Sequence, residues 1–308
     1  MGIHLPLVIG MENILIPSFD AKKFDTLLLK HKAIHMVFVP SYWGTLINSE
    51  KMKNQDLSFI IAPTVGGDSL NVDLETAANE FLHSHGCNYC VTKGYGMTEV
   101  CAGVTGTLDA CNEVGSVGVP FVKSTVSIFN PETKEELKYG EIGEICISGP
   151  NIMLGYFDNQ AATDEVVINH DDGQKWVHSG DLGYMNENGS LFVIGRIKRI
   201  IVRHDGFKVF PSQIEKVISK CNSVNACCAV GVTDKSHSQG QLPIVFVVKS
   251  SNENDDAVKS ELFELCKKEL PEYAQPIDFV FVDSLPLTPI GKIDYRALET
   301  LAEEMSRK

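Results

Sequence analysis

The chain has 308 residues, 44% of them hydrophobic and 22% charged, with a formal net charge of −13. It is long enough for two domains and a sizeable core. The acidic balance argues against a nucleic-acid protein, because phosphate backbones are gripped by clustered Lys and Arg, whereas small anions held by local donors remain possible ligands. The longest apolar runs, such as Leu5–Gly10 and Ile244–Val248, are too short to span a bilayer. The start carries neither a basic n-region nor a small-residue cleavage site, which makes the cytoplasm the default compartment. Nine cysteines, several of them inside apolar runs as with Cys146, Cys227 and Cys228, read as reduced core thiols. Cys87-x-x-Cys90 has no second Cys-x-x-Cys or His pair to complete a zinc site, so packing is its reading.

Residues 20–110 alternate helical and strand patterns. Asp20 is expected to cap a helix whose inner face carries Phe24, Leu27, Leu28 and His31. Ile34–Val39 and Leu57–Ala62 read as buried strands, the second followed by the loop Pro63–Asp68. A helix opens at Asp73, buries Leu74, Ala77, Ala78, Phe81 and Leu82, and closes at Gly86. Asn88–Thr92 reads as the next strand, leading into Lys93-Gly-Tyr-Gly-Met-Thr-Glu99. Such alternation implies a parallel sheet, with ligands bound at loops after the strands' carboxyl ends, where both Gly-rich stretches are expected.

From about 113 to 195 short alternating strands (Thr125–Asn130, Glu144–Ser148, Leu191–Ile194) suggest a small antiparallel sheet, with a hairpin at Asn188-Gly189. Arg199–Arg203 and Phe207–Phe210 read as a second hairpin turning at Asp205-Gly206. Beyond it, a helix with Ile214, Val217, Ile218 and Cys221 on one face precedes strands at Ala226–Val232 and Ile244–Lys249. A helix over about 255–270, a strand over Ile277–Val282 and a final helix from Asp294 complete a small α+β domain. The fold class is therefore α/β: a large domain over 1–195, with a parallel α/β sheet to about 112 and an antiparallel β subdomain over 113–195. A small α+β domain over 196–308 follows it.

Several stretches could carry chemistry. In Gly94-Tyr-Gly-Met-Thr-Glu99 the glycines allow close backbone approach and Tyr95 offers a flat face for a base. Thr98 can donate to a phosphate, and Glu99 is a hard oxygen ligand suited to magnesium. A third glycine is missing, so it is no dinucleotide fingerprint, and a tight loop would account for it equally. In Trp176-Val-His-Ser-Gly-Asp-Leu182 an Asp in a Gly turn can accept from both hydroxyls of a ribose, though Ser-Gly-Asp is also ordinary turn chemistry. His178 reads as a packed or surface histidine before a catalytic base. Arg196 could donate to ribose or phosphate, and Lys292 is a cation on a Pro-Ile-Gly-Lys turn; solvated side chains would explain both.

Taken together and in order, these pieces resemble the adenylate-forming superfamily of acyl- and aryl-CoA synthetases, peptide-synthetase adenylation domains and beetle luciferases. The matching stretches are Val65-Gly-Gly-Asp68, Gly94–Glu99, Gly115–Pro120, Gly140–Glu144, Gly155-Tyr156, Ser179–Leu182, Gly195–Lys198, Gly206–Pro211 and Pro289–Asp294. The resemblance implies an ATP- and magnesium-dependent ligase that joins a small carboxylic acid to AMP and then to coenzyme A. By it, Gly66, Gly67, Asp68, Gly94, Tyr95, Gly96 and Met97 would wall the adenine and acyl site, Thr98 would contact phosphate, and Glu99 would hold magnesium. Asp181 would bind the ribose with Arg196 beside it, Lys198 would be the hinge, and Lys292 would bridge the carboxylate and the α-phosphate. Rotation at Lys198 would then exchange Lys292 for the Arg203–Lys208 loop. The resemblance also implies two departures. The Lys198-to-Gly206 spacing is one residue longer than the commonest pattern, and the family's Ser/Thr/Gly-rich phosphate loop has no counterpart. The chain is thus expected to correspond to the C-terminal part of a longer enzyme and to be inactive or weakly active alone. A carrier-protein thiol as acceptor, or a nucleotide-binding fragment without catalysis, are the alternatives.

Overall fold

A computed structural model describes residues 3–17, 19–20, 23–67, 70–108, 111–171, 173–250, 254–288 and 292–307. The chain divides into two compact units, Met1–Val193 and Ile194–Lys308. None of its described helices is long and apolar enough to cross a membrane.

The first unit begins with the short helix α1 (His4–Val8), followed by α2 (Phe24–His31), β1 (His35–Phe38), α3 (Ser41–Ile47), β2 (Ala62–Val65) and α4 (Val72–Ser84). Then come β3 (Thr92–Met97), β4 (Ala102–Gly106) and β5 (Val119–Pro120). These strands form one five-stranded sheet in the order β1-β2-β3-β4-β5. β1, β2 and β3 pair in parallel, and β4 and β5 return antiparallel. Asn71 caps α4 by accepting from the Leu74 amide at 2.7 Å, and the buried positions Glu75, Ala78 and Leu82 share one helical face. That face packs with Trp43, Leu46, Leu57 and Ile60 in a core layer against the sheet.

Some sequence expectations shift here. Leu57 and Ile60 are fully buried, but Leu57–Ala62 is mostly turn, and the strand runs over Ala62–Val65. Likewise Asn88–Val91 lies before the strand, which occupies Thr92–Met97. Apolar burial reveals depth and not period, so a buried turn imitates a short strand. Asp20 does not cap α2, whose N-cap is Lys23.

The second sheet of this unit contains β6 (Thr125–Phe129), β7 (Gly143–Ser148), β8 (Val167–Asn169), β9 (Lys175–Met185) and β10 (Leu191–Arg196); α5 (Gln160–Val166) precedes β8. The order is β10-β9-β7-β6, with β8 also on β9. Every residue of β7 is buried, as expected of a central strand covered on both faces. Val126, Ile145, Ile147, Val177 and Leu191 pack with Val100 and Val104, so the two sheets share a core.

The second unit is built from the hairpin β11 (Ile201–Val202) and β12 (Lys208–Val209), α6 (Pro211–Ile218), β13 (Val224–Thr233), β14 (Gln241–Lys249), α7 (Asp255–Glu269), β15 (Asp278–Phe281) and α8 (Tyr295–Arg307). β13 and β14 pair antiparallel and β15 joins β14 in parallel. Strand alternation sorts the core into two layers. Ala229, Val245 and Val247 face Ile214, Val217, Val258 and Leu262 of α6 and α7. Cys228, Val230, Ile244 and Phe246 face Leu298 and Ala302 of α8. This is the expected small α+β domain. The expected parallel and antiparallel sheets of the first unit are likewise present.

Candidate active site

β3 is anchored at its start by a buried ion pair. Lys93 Nζ pairs with Glu75 Oε1 on α4 and donates to the Glu113 carbonyl at 3.0 Å. The other Glu75 oxygen accepts from the Gly115 amide at 3.1 Å, so both charges carry further hydrogen bonds. Lys93 therefore fixes the direction in which Gly94-Tyr95-Gly96-Met97 leaves the core.

Gly94–Met97 is strand, not the loop expected from sequence, and it pairs antiparallel with β4 through a bulge at Tyr95/Gly96. The glycines are needed for space. A Cβ on Gly96 would lie 1.8 Å from the Ala102 carbonyl oxygen, and one on Gly94 2.8 Å from that of Thr105. The turn that closes this hairpin has left-handed φ values at Cys101 (60°) and Ala102 (117°), backbone states that side chains resist and that cluster at functional sites.

Asp181 sits on β9 in a second bulge. Glu144 pairs with Leu182 and Cys146 with His178, so Ser179, Gly180 and Asp181 together oppose Ile145. Gly180 takes φ 69°, which a glycine adopts without a Cβ penalty. The turn expected at Ser-Gly-Asp is thus a bulge within an eleven-residue strand. Glu144 supports it from beneath: Oε1 accepts from the Gly180 amide at 3.0 Å, and Oε2 lies 2.8 Å from His178 Nδ1. Burial opposes the charge on Glu144, but the His178 contact, the Gly180 amide and Lys134 outweigh it and hold the carboxyl below its ordinary value. His178 Nε2 in turn lies 2.9 Å from His170 Nε2. His178 is therefore a packed histidine.

The two bulges meet. The Tyr95 hydroxyl donates to Asp181 Oδ2 at 2.6 Å, and Asp181 is only 7% exposed. Its amide donates to Ser179 Oγ at 3.0 Å. Thr98 and Glu99 follow in a short 3₁₀ turn, Thr98 exposed and Glu99 half-buried. The Tyr156 hydroxyl donates to Glu99 Oε1 at 2.6 Å, which pushes the phenol up to about 12. The Glu99 carbonyl also accepts from the Met153 amide at 2.8 Å, tying the 150s loop to this turn. Tyr156 and Glu144 were marked by the Gly155-Tyr156 and Gly140–Glu144 stretches but carried no assigned role, because the contacts of a carboxylate on an apolar strand show only in three dimensions.

The remaining candidates belong to other elements. Gly66 and Gly67 follow β2, and Gly67 has φ 84°; Asp68 falls outside the described residues. Arg196 ends β10, and Lys198 is exposed in the 3₁₀ turn Ile197–Arg199. The next residue, Arg199, is held within the second unit by Glu215 Oε1 at 2.5 Å and the Ala229 carbonyl at 3.2 Å. Lys292 is exposed, its amide and carbonyl both bonded to Thr288. The Cys87 thiol donates to the Ile60 carbonyl at 3.4 Å, in keeping with a packing role.

The cluster thus sets a pinned carboxylate beside an aromatic ring, next to an exposed threonine and a half-buried glutamate. The profile described as AMP-binding enzyme matches residues 1–157, and that described as AMP-binding enzyme C-terminal domain matches residues 213–292. 4-Coumarate–CoA ligase 1 of Glycine max is 30% identical over 91% of this chain and 93% of its own length. Luciferin 4-monooxygenase of Nipponoluciola cruciata is 29% identical over 97% of this chain and 52% of its own. Among solved structures, ATP-bound MatB from Rhodopseudomonas palustris superposes with a TM-score of 0.84 at 25% identity, covering 98% of this chain and 57% of that one. The chain belongs to the AMP-binding enzyme family. It spans about half the length of most of the curated relatives it matches.

Proposed function

We propose that this protein serves an ATP-dependent carboxylate–CoA ligase. In the first half-reaction a carboxylate oxygen attacks the α-phosphorus of ATP and pyrophosphate leaves. In the second, the thiol of coenzyme A attacks the acyl carbon, AMP departs and the thiol proton is lost. The observation that carries this reading is the 2.6 Å contact between Tyr95 and Asp181, which sets a buried carboxylate beside a flat ring. A carboxylate held in that way can accept from both hydroxyls of a ribose while the ring stacks on adenine. The relatives' names point to an acyl or aryl acid, with coenzyme A as acceptor.

The protein's own groups divide the work. Gly94 and Gly96 keep the strand bare enough for close approach, and Gly66, Gly67, Asp68, Tyr95 and Met97 are assigned to the wall of the adenine and acyl site. Thr98, exposed at the start of the 3₁₀ turn, is the phosphate donor, and Arg196 the donor to ribose or phosphate. Glu99 fits magnesium: it is a hard, half-buried oxygen ligand, and among the described residues Tyr156 takes one of its two oxygens. When bound, magnesium would offset charge on the phosphates. Lys292, on an exposed turn of the second unit, is the cation assigned to the attacking carboxylate and α-phosphate, because two anions must meet there. Lys198, exposed beside the pinned Arg199, is the hinge that exchanges Lys292 for the Arg203–Lys208 turn.

Pyrophosphate exchange into ATP tests the assignment of Lys292, in a form of the enzyme that carries a phosphate-binding loop. Lys292→Ala is expected to lower acid-dependent exchange by about a hundredfold or more, the scale of losing one transition-state donor. Unchanged exchange would remove Lys292 from the mechanism.

A further inference from the structure

We propose that His204, Asp234 and His237 bind a divalent transition-metal ion of the zinc class, clipping the β11–β12 turn to the β13–β14 loop within the second unit. Asp234 and His237 have no part in the proposed ligase chemistry, and His204, within the Arg203–Lys208 turn, carries no assigned role there. Each offers one ligand atom, and the three atoms lie within 4.8 Å of one another.

The site is assembled by backbone. Gly240 takes φ 102°, and a Cβ on it would sit 2.3 Å from the His204 amide nitrogen, so the two loops touch main chain to main chain. The Gly240 carbonyl accepts from the Asp234 amide at 3.0 Å, closing the loop on itself. Asp234 is 2% exposed, and its Oδ1 accepts from the Ser236 amide at 3.0 Å. Oδ2 is thereby aimed at the histidines, with His237 Nδ1 at 2.8 Å and His204 Nδ1 at 3.3 Å. The second contact is not among the hydrogen bonds, and His204 Nδ1 is a buried polar atom without a hydrogen-bond partner. A buried imidazole nitrogen costs free energy until something satisfies it.

The donor set selects the ion. Two imidazoles and one carboxylate suit zinc, nickel or copper, whereas calcium and magnesium take mostly oxygen ligands. Bonds of about 2.0–2.2 Å in tetrahedral geometry separate ligand atoms by roughly 3.3–3.5 Å. The His204–Asp234 spacing of 3.3 Å already matches that figure, and the 2.8 Å His237 contact opens slightly when the ion replaces its proton. The two rings stack in parallel with centroids 3.4 Å apart, so their in-plane lone pairs do not converge as they stand. His237 rotates on binding, and a side chain 45% exposed has room to do so. Water fills the fourth position.

The test titrates the tag-free, chelator-treated chain with zinc and, for its visible spectrum, with cobalt. The expected result is one ion per chain, a cobalt spectrum without a thiolate charge-transfer band, and a zinc-dependent rise in the melting midpoint. His204→Gln and His237→Gln, with unchanged circular dichroism, should each weaken binding by about tenfold or more. Three outcomes would overturn the proposal: no binding, parent affinity retained in both variants, or a thiolate band that assigns the ion to the free cysteines.

Discussion

Replacing Gly96 with alanine tests the bulge that carries Tyr95. The new Cβ would lie 1.8 Å from the Ala102 carbonyl oxygen and 2.6 Å from Gly103 Cα, both main-chain atoms that cannot rotate away. Restoring a 3 Å contact requires β3 and β4 to part by about 1.2 Å, since overpacking is relieved only by backbone movement. That displacement breaks one or two ladder hydrogen bonds at about 1 kcal/mol each. It also stretches the 2.6 Å Tyr95–Asp181 bond, a charge-assisted contact worth about 1.5–3 kcal/mol. The sum is roughly 2.5–5 kcal/mol, or on the order of 10 °C in melting temperature for a unit of this size. Circular-dichroism melts of the whole chain provide the assay. Gly94→Ala, with a clash of 2.8 Å, should cost less, and Gly66→Ala, with no atom within 4 Å, almost nothing. A Gly96→Ala midpoint within about 2 °C of the parent would refute the reasoning.

Gly44 lies inside α3 with no atom within 4 Å of a built Cβ, so Gly44→Ala should stabilise by about 0.5–1 kcal/mol; a lower midpoint would contradict this. Acid stability should depend on Asp25, whose carboxyl is lowered to about 2, chiefly by the Ser49 hydroxyl and against burial, with Thr26 and Lys51 adding to the effect. Because the folded value lies below the unfolded 3.8, its contribution is complete above about pH 4 and is lost as pH falls toward 2. It amounts to at most about 2 kcal/mol, and about 1 once solvent screening is included. Ser49→Ala should therefore shrink the difference in melting midpoint between neutral pH and about pH 3, and an unchanged difference would remove Ser49 as the cause.

Much of the second unit was legible because its helices and strands obey clean periods. Ile214, Val217 and Ile218 repeat at helical spacing, and Ala229 and Val230 fall on opposite faces of one strand. The first unit was harder where burial and period part company. Leu57 and Ile60 are as buried as any strand residue yet occupy a turn, which shifted β2 by several positions. The Tyr95–Asp181 cluster was legible residue by residue, since Tyr95, Glu99 and Asp181 belong to recognisable stretches. Their mutual contacts were not, because Tyr95 and Asp181 are 86 positions apart. The role of Glu144 stayed hidden for the same reason: it comes from a bulge that places Gly180 above it. The His204–Asp234–His237 cluster is likewise a product of two loops brought together at Gly240.

The nucleotide site itself is tested most directly by calorimetric titration of AMP into the chain, with Asp181→Ala alongside. The parent should bind one AMP. Losing a charged partner for the ribose hydroxyls should cost about 1.5–3 kcal/mol, a fall in affinity of roughly tenfold to a hundredfold. Equal affinity in the two proteins, or no AMP binding by the parent, would contradict the account.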